Sequence, residues 1–344
     1  MEWEITLGYT VLYTDSKAKE LDVEREIIRP DALLVHAQKT SMDDVDPTAL
    51  EACEALVVNR LRVDAAVISR LKRCRMVVRN GVGYDVLDLE ALGKAGIAAC
   101  NVPDYGTTEV SDSAIAMMLA FARGTLAYDT ALRADLKTGW THVHNPTSRR
   151  LRGATFGLIG MGRIGTASGL RARAFGMNVA FYDPFLRNGT ELSLGFTRTK
   201  TLNELLGMAD VVCIHADLTR ENRGMINAAA VAAMKQGAYV INTARGPICD
   251  TAALLSGLKS GKLSAVGLDV LPKEPGGMED PLVAAWHANE PWIRGRVILG
   301  PHAAFFSPDA FADLRVKCAE TVIAYLRDGK LQNCVNAEYL KDRR

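Results

Sequence analysis

Arg245, Glu274 and His302 each lie a few residues beyond a short apolar run that predicts a β-strand. An imidazole can donate or accept a proton near neutral pH, and a carboxylate can orient it and stabilise its charged form. A guanidinium is a planar, permanently charged fork that binds a carboxylate or polarises a carbonyl. Because ligands bind beyond the carboxyl ends of strands in open α/β sheets, we expect the three side chains to converge. Together they could transfer a proton to or from an oxygen of an anionic substrate.

A glycine-rich turn at 160–165 stands between an apolar run, 155–159, and a segment of helical composition, 166–175. A second apolar run, 178–182, follows and ends on Asp183. Dinucleotide binding requires this order, because glycines let the backbone approach a pyrophosphate, a helix N-terminus supplies N–H donors, and an acid binds the ribose hydroxyls. The predicted cofactor-binding glycines are Gly160, Gly162 and Gly165.

Asp183 favours NAD (NADH) as the cofactor, because a carboxylate repels the 2′-phosphate of NADP. Arg187 lies close enough in sequence to keep NADP open as the less favoured alternative.

The chain of 344 residues is long enough for two domains, and its formal net charge is +1, from 41 basic and 40 acidic residues. This balance argues against nucleic acid or an anionic membrane as a direct partner. The seven cysteines form no CxxC pair, so reduced thiols are expected and a metal site is not. The acidic start and the short apolar stretches predict neither a leader nor a membrane span. We therefore expect a soluble, cytoplasmic protein.

Strand-like and helix-like segments alternate before and after the glycine turn. Alternation of this kind predicts an α/β protein with parallel sheets covered by helices, and the roughly 150 residues before the turn need a sheet of their own. Two helices are predicted at 107–123 and 126–137, and a final helix, 309–328, is expected to pack on the first domain. The predicted strands are 10–13, 32–35, 55–58, 76–78 and 97–100 in the first domain, and 155–159, 178–182, 211–214, 239–242, 265–268 and 297–299 in the second.

Over nearly its whole length the sequence resembles the D-2-hydroxyacid dehydrogenase family. The matching segments are 80–85, the glycine turn through Asp183, and the segments around Arg245, Glu274 and His302. Within the family it most resembles the branch that contains the C-terminal-binding proteins, through 100–106 and 301–307.

The resemblance implies two Rossmann-like or flavodoxin-like parallel-sheet domains with the active site in the cleft between them. The substrate domain would comprise residues 1–105 and 306–344, and the NAD-binding domain residues 106–305. The family also implies a homodimer, formed through helices in 107–138.

The activity implied is hydride transfer between the nicotinamide of NAD(H) and C2 of a small 2-keto or D-2-hydroxy acid. His302 would exchange the proton with the carbonyl or hydroxyl oxygen, and Glu274 would hold the imidazole. Arg245 would polarise the carbonyl and bind the substrate carboxylate.

The remaining site residues are carried over from the family. Backbone N–H groups of Val82 and Gly83 would bind the substrate carboxylate, and Phe305 would contact the substrate together with Arg245 and His302. The further cofactor-binding residues would be Val110, Arg163, Ile164, His215, Ala216, Asn222, Thr243, Ala244 and Asp269.

Phe305 stands where the C-terminal-binding proteins usually carry tryptophan, so their substrate preference is not carried over. The connection at 275–300 is expected to be a loop that either shapes the pocket mouth or lies on the surface without a role in the site. The alternative function is an NAD(H)-sensing scaffold or corepressor with little turnover. A phosphoglycerate-type enzyme is less favoured, since no appended regulatory domain is visible, and Glu274 argues against a formate-type dehydrogenase.

Overall fold

The computed structural model describes residues 8–340 and divides the chain into two compact units. The first unit comprises Met1–Gly106 and Ser307–Arg344, and the second comprises Thr107–Phe306. Each unit contains one sheet whose strands are all parallel, which confirms the predicted α/β class with two parallel-sheet domains. Within residues 8–340, no helix is both long and apolar enough to cross a membrane.

The first unit has a five-stranded sheet in the order β2-β1-β3-β4-β5, with strands numbered along the chain. The central strand β3 is buried at every position, which explains its uninterrupted apolar sequence. The strands are β1 (Tyr9–Tyr13), β2 (Ala32–His36), β3 (Ala55–Val58), β4 (Met76–Arg79) and β5 (Ala98–Asn101).

Helices cover this sheet and begin at residues whose side chains cap them. Asp46, Asp64 and Asp88 each accept a backbone N–H from the first turn of the helix that follows. The helices are α1 (Asp22–Ile28), α2 (Pro47–Ala52), α3 (Ala65–Arg70), α4 (Leu89–Lys94) and, at the end of the chain, α13 (Pro308–Asp328).

A buried ion pair joins α13 to α1. The Glu24 side chain is 1% exposed, and Arg315 donates to both of its carboxylate oxygens. Removing one partner of such a pair leaves a buried, uncompensated charge, which costs about 3–5 kcal/mol of stability. We expect Arg315→Met to lower the free energy of unfolding by roughly this amount, as measured by urea denaturation.

Arg327→Met on the same helix is the matched control. Arg327 pairs with Asp31 and Asp328, but its own side chain is 55% exposed. Exposed pairs contribute about 0–1 kcal/mol, so this variant should unfold near the wild-type urea concentration. Equal losses in the two variants would contradict the role assigned to Glu24.

The second unit has a seven-stranded sheet in the order β12-β11-β10-β9-β6-β7-β8. The chain leaves β6 in one direction through β7 and β8 and in the other through β9 to β12. The strand order therefore reverses between β6 and β9, the point at which open α/β sheets bind ligands. The strands are β6 (Thr155–Ile159), β7 (Asn178–Tyr182), β8 (Thr197–Arg198), β9 (Val211–Ile214), β10 (Ala238–Asn242), β11 (Leu263–Leu268) and β12 (Val297–Leu299).

The helices of the second unit include one, α6, that has no buried residue. Its neighbour α5 buries one face, including Ala114, Met118 and Phe121, in the unit's core. The helices are α5 (Thr107–Arg123), α6 (Thr125–Ala134), α7 (Arg163–Ala174), α8 (Thr190–Leu194), α9 (Leu202–Met208), α10 (Ala228–Ala233), α11 (Thr251–Lys259) and α12 (Pro281–His287).

Two features of the second unit differ from the sequence prediction. The expectation of a loop throughout 275–300 was wrong, because this segment contains a helix, α12, before β12 begins. Asp280 caps α12 through Leu282 and Val283, and proline occupies its first turn. The sheet also gains β8, a two-residue edge strand too short to leave an apolar pattern.

Candidate active site

Arg245, Glu274 and His302 follow three strands that lie next to one another in one sheet. β10, β11 and β12 lie side by side and run parallel. Arg245 lies three residues after β10, Glu274 six residues after β11, and His302 three residues after β12. Because the three strands run in the same direction, the loops that carry these residues all leave the same edge of the sheet. Neighbouring strands are about 4.8 Å apart, so these loops begin close together.

His302 and Glu274 form a direct pair, with Nδ1 of the imidazole 2.7 Å from Oε2 of the carboxylate. Their side chains are 26% and 27% exposed, so both remain accessible from solution. The other carboxylate oxygen of Glu274 accepts the backbone N–H of Leu271 at 3.3 Å, which fixes the carboxylate plane. This arrangement directs Nδ1 to Glu274 and leaves Nε2 as the nitrogen that can face a substrate.

Asp269 holds the backbone on either side of His302. Its carbonyl accepts the N–H of His302 at 2.7 Å, and its carboxylate accepts those of Ala303 (3.0 Å) and Ala304 (2.8 Å). His302 itself adopts a left-handed conformation, with φ of 57°, which non-glycine residues rarely adopt. Burial raises the pKa of the Asp269 carboxyl, and the two N–H donors oppose that shift. Asp269 thus positions the loop that carries His302, besides its predicted cofactor contact.

Asn242, at the end of β10, shapes the turn that carries Arg245. Its side chain is fully buried, accepts the N–H of Ala244 at 3.0 Å, and donates to the carbonyl of Arg245 at 2.9 Å. Gly246 then lies directly against the backbone of Leu271, in the loop that leads to Glu274, and a Cβ atom there would collide with it. This close approach requires glycine and ties the Arg245 turn to the Glu274 loop.

The glycine turn after β6 has the geometry that a pyrophosphate site needs. Gly160 has φ of 88°, and a Cβ atom on it would lie 2.8 Å from the backbone N of Ala216. Gly162 forms the N-cap of α7 and carries no side chain that could cap it. The first-turn N–H groups, including those of Arg163 and Ile164, are therefore available to an anion.

Asp183 follows β7 and is fixed by three backbone donors. Its Oδ2 accepts the N–H of Met161 at 2.9 Å, and Oδ1 accepts those of Phe185 (2.9 Å) and Leu186 (3.1 Å). The bond to Met161 joins the acid to the glycine turn. The carboxylate therefore lies beside the turn, as a ribose-binding acid must.

The residues after β9 pack against the glycine turn. The backbone of His215 and Ala216 lies against Gly160, whereas the His215 ring points inward and contacts Ser168 Oγ (2.9 Å) and Cys213 Sγ (3.2 Å). Burial lowers the pKa of His215 to about 4, so the ring is neutral near pH 7. The predicted role of His215 in cofactor binding can therefore rest on its backbone.

The other predicted cofactor residues occupy varied surroundings. The Oγ1 of Thr243, just after β10, is buried and has no hydrogen-bond partner within residues 8–340, as expected of a group that awaits a ligand. Asn222 is buried and holds its own loop through the N–H of Thr219 (2.8 Å) and the carbonyl of Asp217 (2.6 Å). Val110 is buried in the first turns of α5. The glycine turn, Asp183 and Thr243 together fit a dinucleotide.

The predicted substrate loop, with Val82 and Gly83, follows β4 in the first unit. Asn101 donates to the carbonyl of Val82 at 2.6 Å, and the N–H of Val102 donates to that of Gly81 at 3.0 Å. Gly81 has φ of 146°, a conformation that residues with a Cβ atom rarely adopt, and it lies against the guanidinium of Arg79. The conformation of Gly81 therefore favours glycine at that position, and the role of Val82 and Gly83 stays a prediction.

Comparison with protein families gives a direct match for the second unit. The sequence model of the family described as "D-isomer specific 2-hydroxyacid dehydrogenase, NAD binding domain" matches residues 115–304. The chain belongs to the D-isomer-specific 2-hydroxyacid dehydrogenase family. The matched region contains the glycine turn and all three residues of the Arg245, Glu274 and His302 set.

Two curated relatives extend the similarity through the first unit. A glyoxylate reductase of Korarchaeum cryptofilum is 35% identical over 293 residues, covering 85% of each chain. C-terminal-binding protein 1 of Caenorhabditis elegans is 31% identical over 331 residues, or 93% of this chain. The chain spans less than half (44%) of the length of the C. elegans protein.

Solved structures show the same fold. A glyoxylate reductase from Paecilomyes thermophila is 27% identical and superposes with a TM-score of 0.85, covering 96% of this chain and 99% of its own. An NADPH-dependent glyoxylate/hydroxypyruvate reductase from Sinorhizobium meliloti, in complex with NADP and malonate, has 27% identity, a TM-score of 0.83 and coverage of 98% and 99%. The D-lactate dehydrogenase of Aquifex aeolicus, complexed with NAD and lactic acid, has 27% identity, a TM-score of 0.78 and coverage of 96% and 97%.

Proposed function

We propose that this protein is an NAD(H)-dependent dehydrogenase that transfers hydride between nicotinamide and C2 of a small 2-keto or D-2-hydroxy acid. The observation that carries the proposal is the His302–Glu274 pair, 2.7 Å apart, on the loops that follow β12 and β11, while Arg245 follows β10, the next strand of the same sheet. The same unit carries the glycine turn and Asp183. Membership of the family supports the reaction class, and the substrate and cofactor preferences are our inference.

His302 and Glu274 are proposed to handle the proton of the reaction. Nicotinamide, when bound, supplies or accepts the hydride at C2. His302 donates a proton to the carbonyl oxygen during reduction and takes it back during oxidation, so no charge is left on that oxygen. Glu274 orients the ring through Nδ1 and stabilises its protonated form, so it is a positioning residue.

Arg245 serves the substrate directly. Its guanidinium binds the carboxylate of the 2-keto acid and polarises the carbonyl as negative charge develops on the oxygen. The backbone N–H groups of Val82 and Gly83 are proposed as further donors to that carboxylate. Phe305, whose ring packs edge-on against Phe306 at 6.3 Å, is proposed to contact the C3 side of the substrate.

The test is a screen of NADH oxidation with glyoxylate, hydroxypyruvate, pyruvate, phenylpyruvate and 4-methylthio-2-oxobutyrate. We expect at least one of these to be reduced with a kcat in the usual range of about 1–1000 per second. Chiral analysis of the product should show the D-isomer wherever C2 becomes a stereocentre. Tight NADH binding without turnover of any keto acid would refute the proposal.

That negative outcome would favour the second candidate, an NAD(H)-sensing scaffold like the C-terminal-binding proteins. The specific observation in its favour is the 31% identity to C. elegans C-terminal-binding protein 1 over 93% of this chain. The two candidates differ in turnover rather than in cofactor binding, so the rate of NADH oxidation separates them.

Asp183 is proposed to select NAD over NADP. Met161, Phe185 and Leu186 hold its carboxylate rigidly, so it cannot swing away from a 2′-phosphate. We expect kcat/KM with NADH to exceed that with NADPH at least tenfold, and Asp183→Ser to lower this ratio roughly tenfold. Both cofactors are measured with each protein, so a general loss of active enzyme cancels in the ratio of the two kcat/KM values. Equal efficiency of wild type with NADPH would contradict the assignment, as Arg187 lies nearby in sequence.

We also propose that the protein is a homodimer joined through α6 and the residues after it. No residue of α6 is buried, and Leu126, Leu136, Trp140 and Val143 are 52%, 72%, 79% and 68% exposed. Exposed apolar groups in such number mark a protein interface. Sedimentation equilibrium should give a dimer for the wild type and a monomer for Leu126→Asp. A monomeric wild type would exclude this proposal.

A further inference from the structure

Two cysteines of the first unit face each other across a short antiparallel pairing. Cys100 lies in β5, and Cys334 lies in the segment that follows α13. An isolated antiparallel bridge joins these two residues. The segment is held there by Asn336, which is fully buried, accepts the N–H of Ala99 at 2.8 Å and donates to the carbonyl of Ile97 at 3.0 Å. The position of Cys334 beside Cys100 is therefore a fixed feature of the fold.

The hydrogen bonds on either side define the geometry of the pair. The N–H of Asn101 donates to Asn333 (3.3 Å), and the N–H of Val335 donates to Ala99 (2.8 Å). The two cysteines thus occupy a non-hydrogen-bonded position, where opposing Cα atoms are about 4.5 Å apart and the side chains lie on one face. Disulfides span Cα separations of about 4.4–6.8 Å, so a bond could form with little movement of the backbone.

The two thiols differ in reactivity. Cys334 is partly exposed, whereas Cys100 is fully buried. A hydrogen bond from the Cys100 thiol lowers the pKa of Cys334, and the same interaction, together with burial, raises that of Cys100. The thiolate is the reactive form of cysteine, so Cys334 is the residue that an oxidant would meet first and Cys100 is the second thiol.

No other cysteine combines these properties, and all seven lie within the described residues. The remaining five are buried. Burial is the main reason for the raised pKa of Cys213, Cys249 and Cys318. Cys53 and Cys74 interact with each other, but neither is exposed to an oxidant.

We propose that Cys100 and Cys334 form a reversible cross-strand disulfide when the protein meets a peroxide. The Cys334 thiolate attacks one peroxide oxygen and breaks the O–O bond, which gives a sulfenic acid and releases hydroxide. The Cys100 thiol then attacks the sulfenic sulfur, forms the S–S bond and displaces water. Two thiols lose two electrons in total, and one hydrogen peroxide is reduced to two waters.

The cross-link would fasten the C-terminal segment to β5. It closes a long chain loop, from residue 100 to residue 334, and restricts the unfolded chain accordingly. Neighbouring Asn101 holds the carbonyl of Val82, so the bond also lies one residue from the anchor of the 81–83 loop. We expect oxidation to raise the midpoint of thermal unfolding by roughly 5 °C.

The experiment treats the reduced full-length protein with stoichiometric hydrogen peroxide, alkylates the remaining thiols and identifies linked peptides by mass spectrometry. A peptide pair joining Cys100 to Cys334 should appear and should disappear on reduction with dithiothreitol. Cys334→Ser and Cys100→Ser should each lose the linked pair and the rise in unfolding temperature. Cys53→Ser, the control in the other thiol pair, should keep both.

The wild-type digest alone can overturn the proposal, so a variant that folds poorly does not affect the conclusion. Recovery of Cys334 as a sulfinic acid with Cys100 as a free thiol would show that the bond does not form. Recovery of both as free thiols, under peroxide that oxidises methionine, would show that Cys334 is not reactive.

Discussion

His302→Ala should lower kcat for the keto acid by about 10²–10⁴-fold, because positioned acid–base catalysis typically contributes that much. Without the imidazole, solvent must supply the proton to the carbonyl oxygen as hydride arrives at C2. The proposed dinucleotide residues are on other loops, after β6, β7, β9, β10 and β11, so the dissociation constant of NADH should change by less than about threefold. Steady-state rates and NADH fluorescence titration measure the two quantities.

A second substitution separates chemistry from backbone strain. His302 has φ of 57°, where alanine is disfavoured but asparagine is tolerated. His302→Asn keeps this conformation and removes the proton donor, so it should lose nearly as much turnover as His302→Ala. His287→Ala, at the exposed end of α12, is the matched control and should retain wild-type rates. Substantial turnover in both His302 variants would exclude the histidine as the acid.

One stretch of the unit that carries this histidine is predicted closely from the sequence. The run from β6 to Asp183 has a strong local pattern, since two buried parallel strands are continuous apolar segments and the turn between them needs glycine. The structure has strands at 155–159 and 178–182, the predicted bounds. Patterns of this kind are local, so they can be recognised in the sequence without knowledge of the tertiary packing.

Short elements escape such a prediction. β8 has only Thr197 and Arg198, with no buried position, and its existence depends on pairing with β7. α12 is only seven residues long, although the signals for its start, Asp280 followed by proline, are present in the sequence. The long spacing between Glu274 and His302 predicts a loop, but a short capped helix fits within the same interval.

The contacts that hold the proposed catalytic groups also could not be predicted from the sequence. The family motif predicts Asp269 as a cofactor residue, whereas its bonds to Ala303 and Ala304 join residues 34 and 35 positions apart in the sequence. Asn242 supports Arg245 through its buried side chain, and nothing in its spacing distinguishes it from a strand residue. Motifs identify which side chains do chemistry, but the bonds that orient them depend on which loops become neighbours.

Arg245→Ala should lower kcat/KM for the keto acid by about 10²–10⁴-fold, through a higher KM as well as a lower kcat. Two charge-assisted hydrogen bonds to the substrate are lost, each worth about 1.5–3 kcal/mol. The binding part acts on the ground state and raises KM, whereas polarisation of the carbonyl grows in the transition state and lowers kcat. Kinetics with each keto acid from the substrate screen measure both constants.

Arg245→Lys tests whether charge alone suffices. Lysine keeps the positive charge but cannot donate two parallel hydrogen bonds to a carboxylate, so it should restore about tenfold of the loss and no more. Arg150→Ala removes an exposed arginine of the same unit and should leave both constants near their wild-type values. The turn around Arg245 is fixed by the side chain of Asn242 and by the contact of Gly246 with Leu271, so it should keep its shape in both variants. Full activity of Arg245→Lys would show that the site needs a charge there and not a fork, and unchanged activity of Arg245→Ala would remove the arginine from the mechanism.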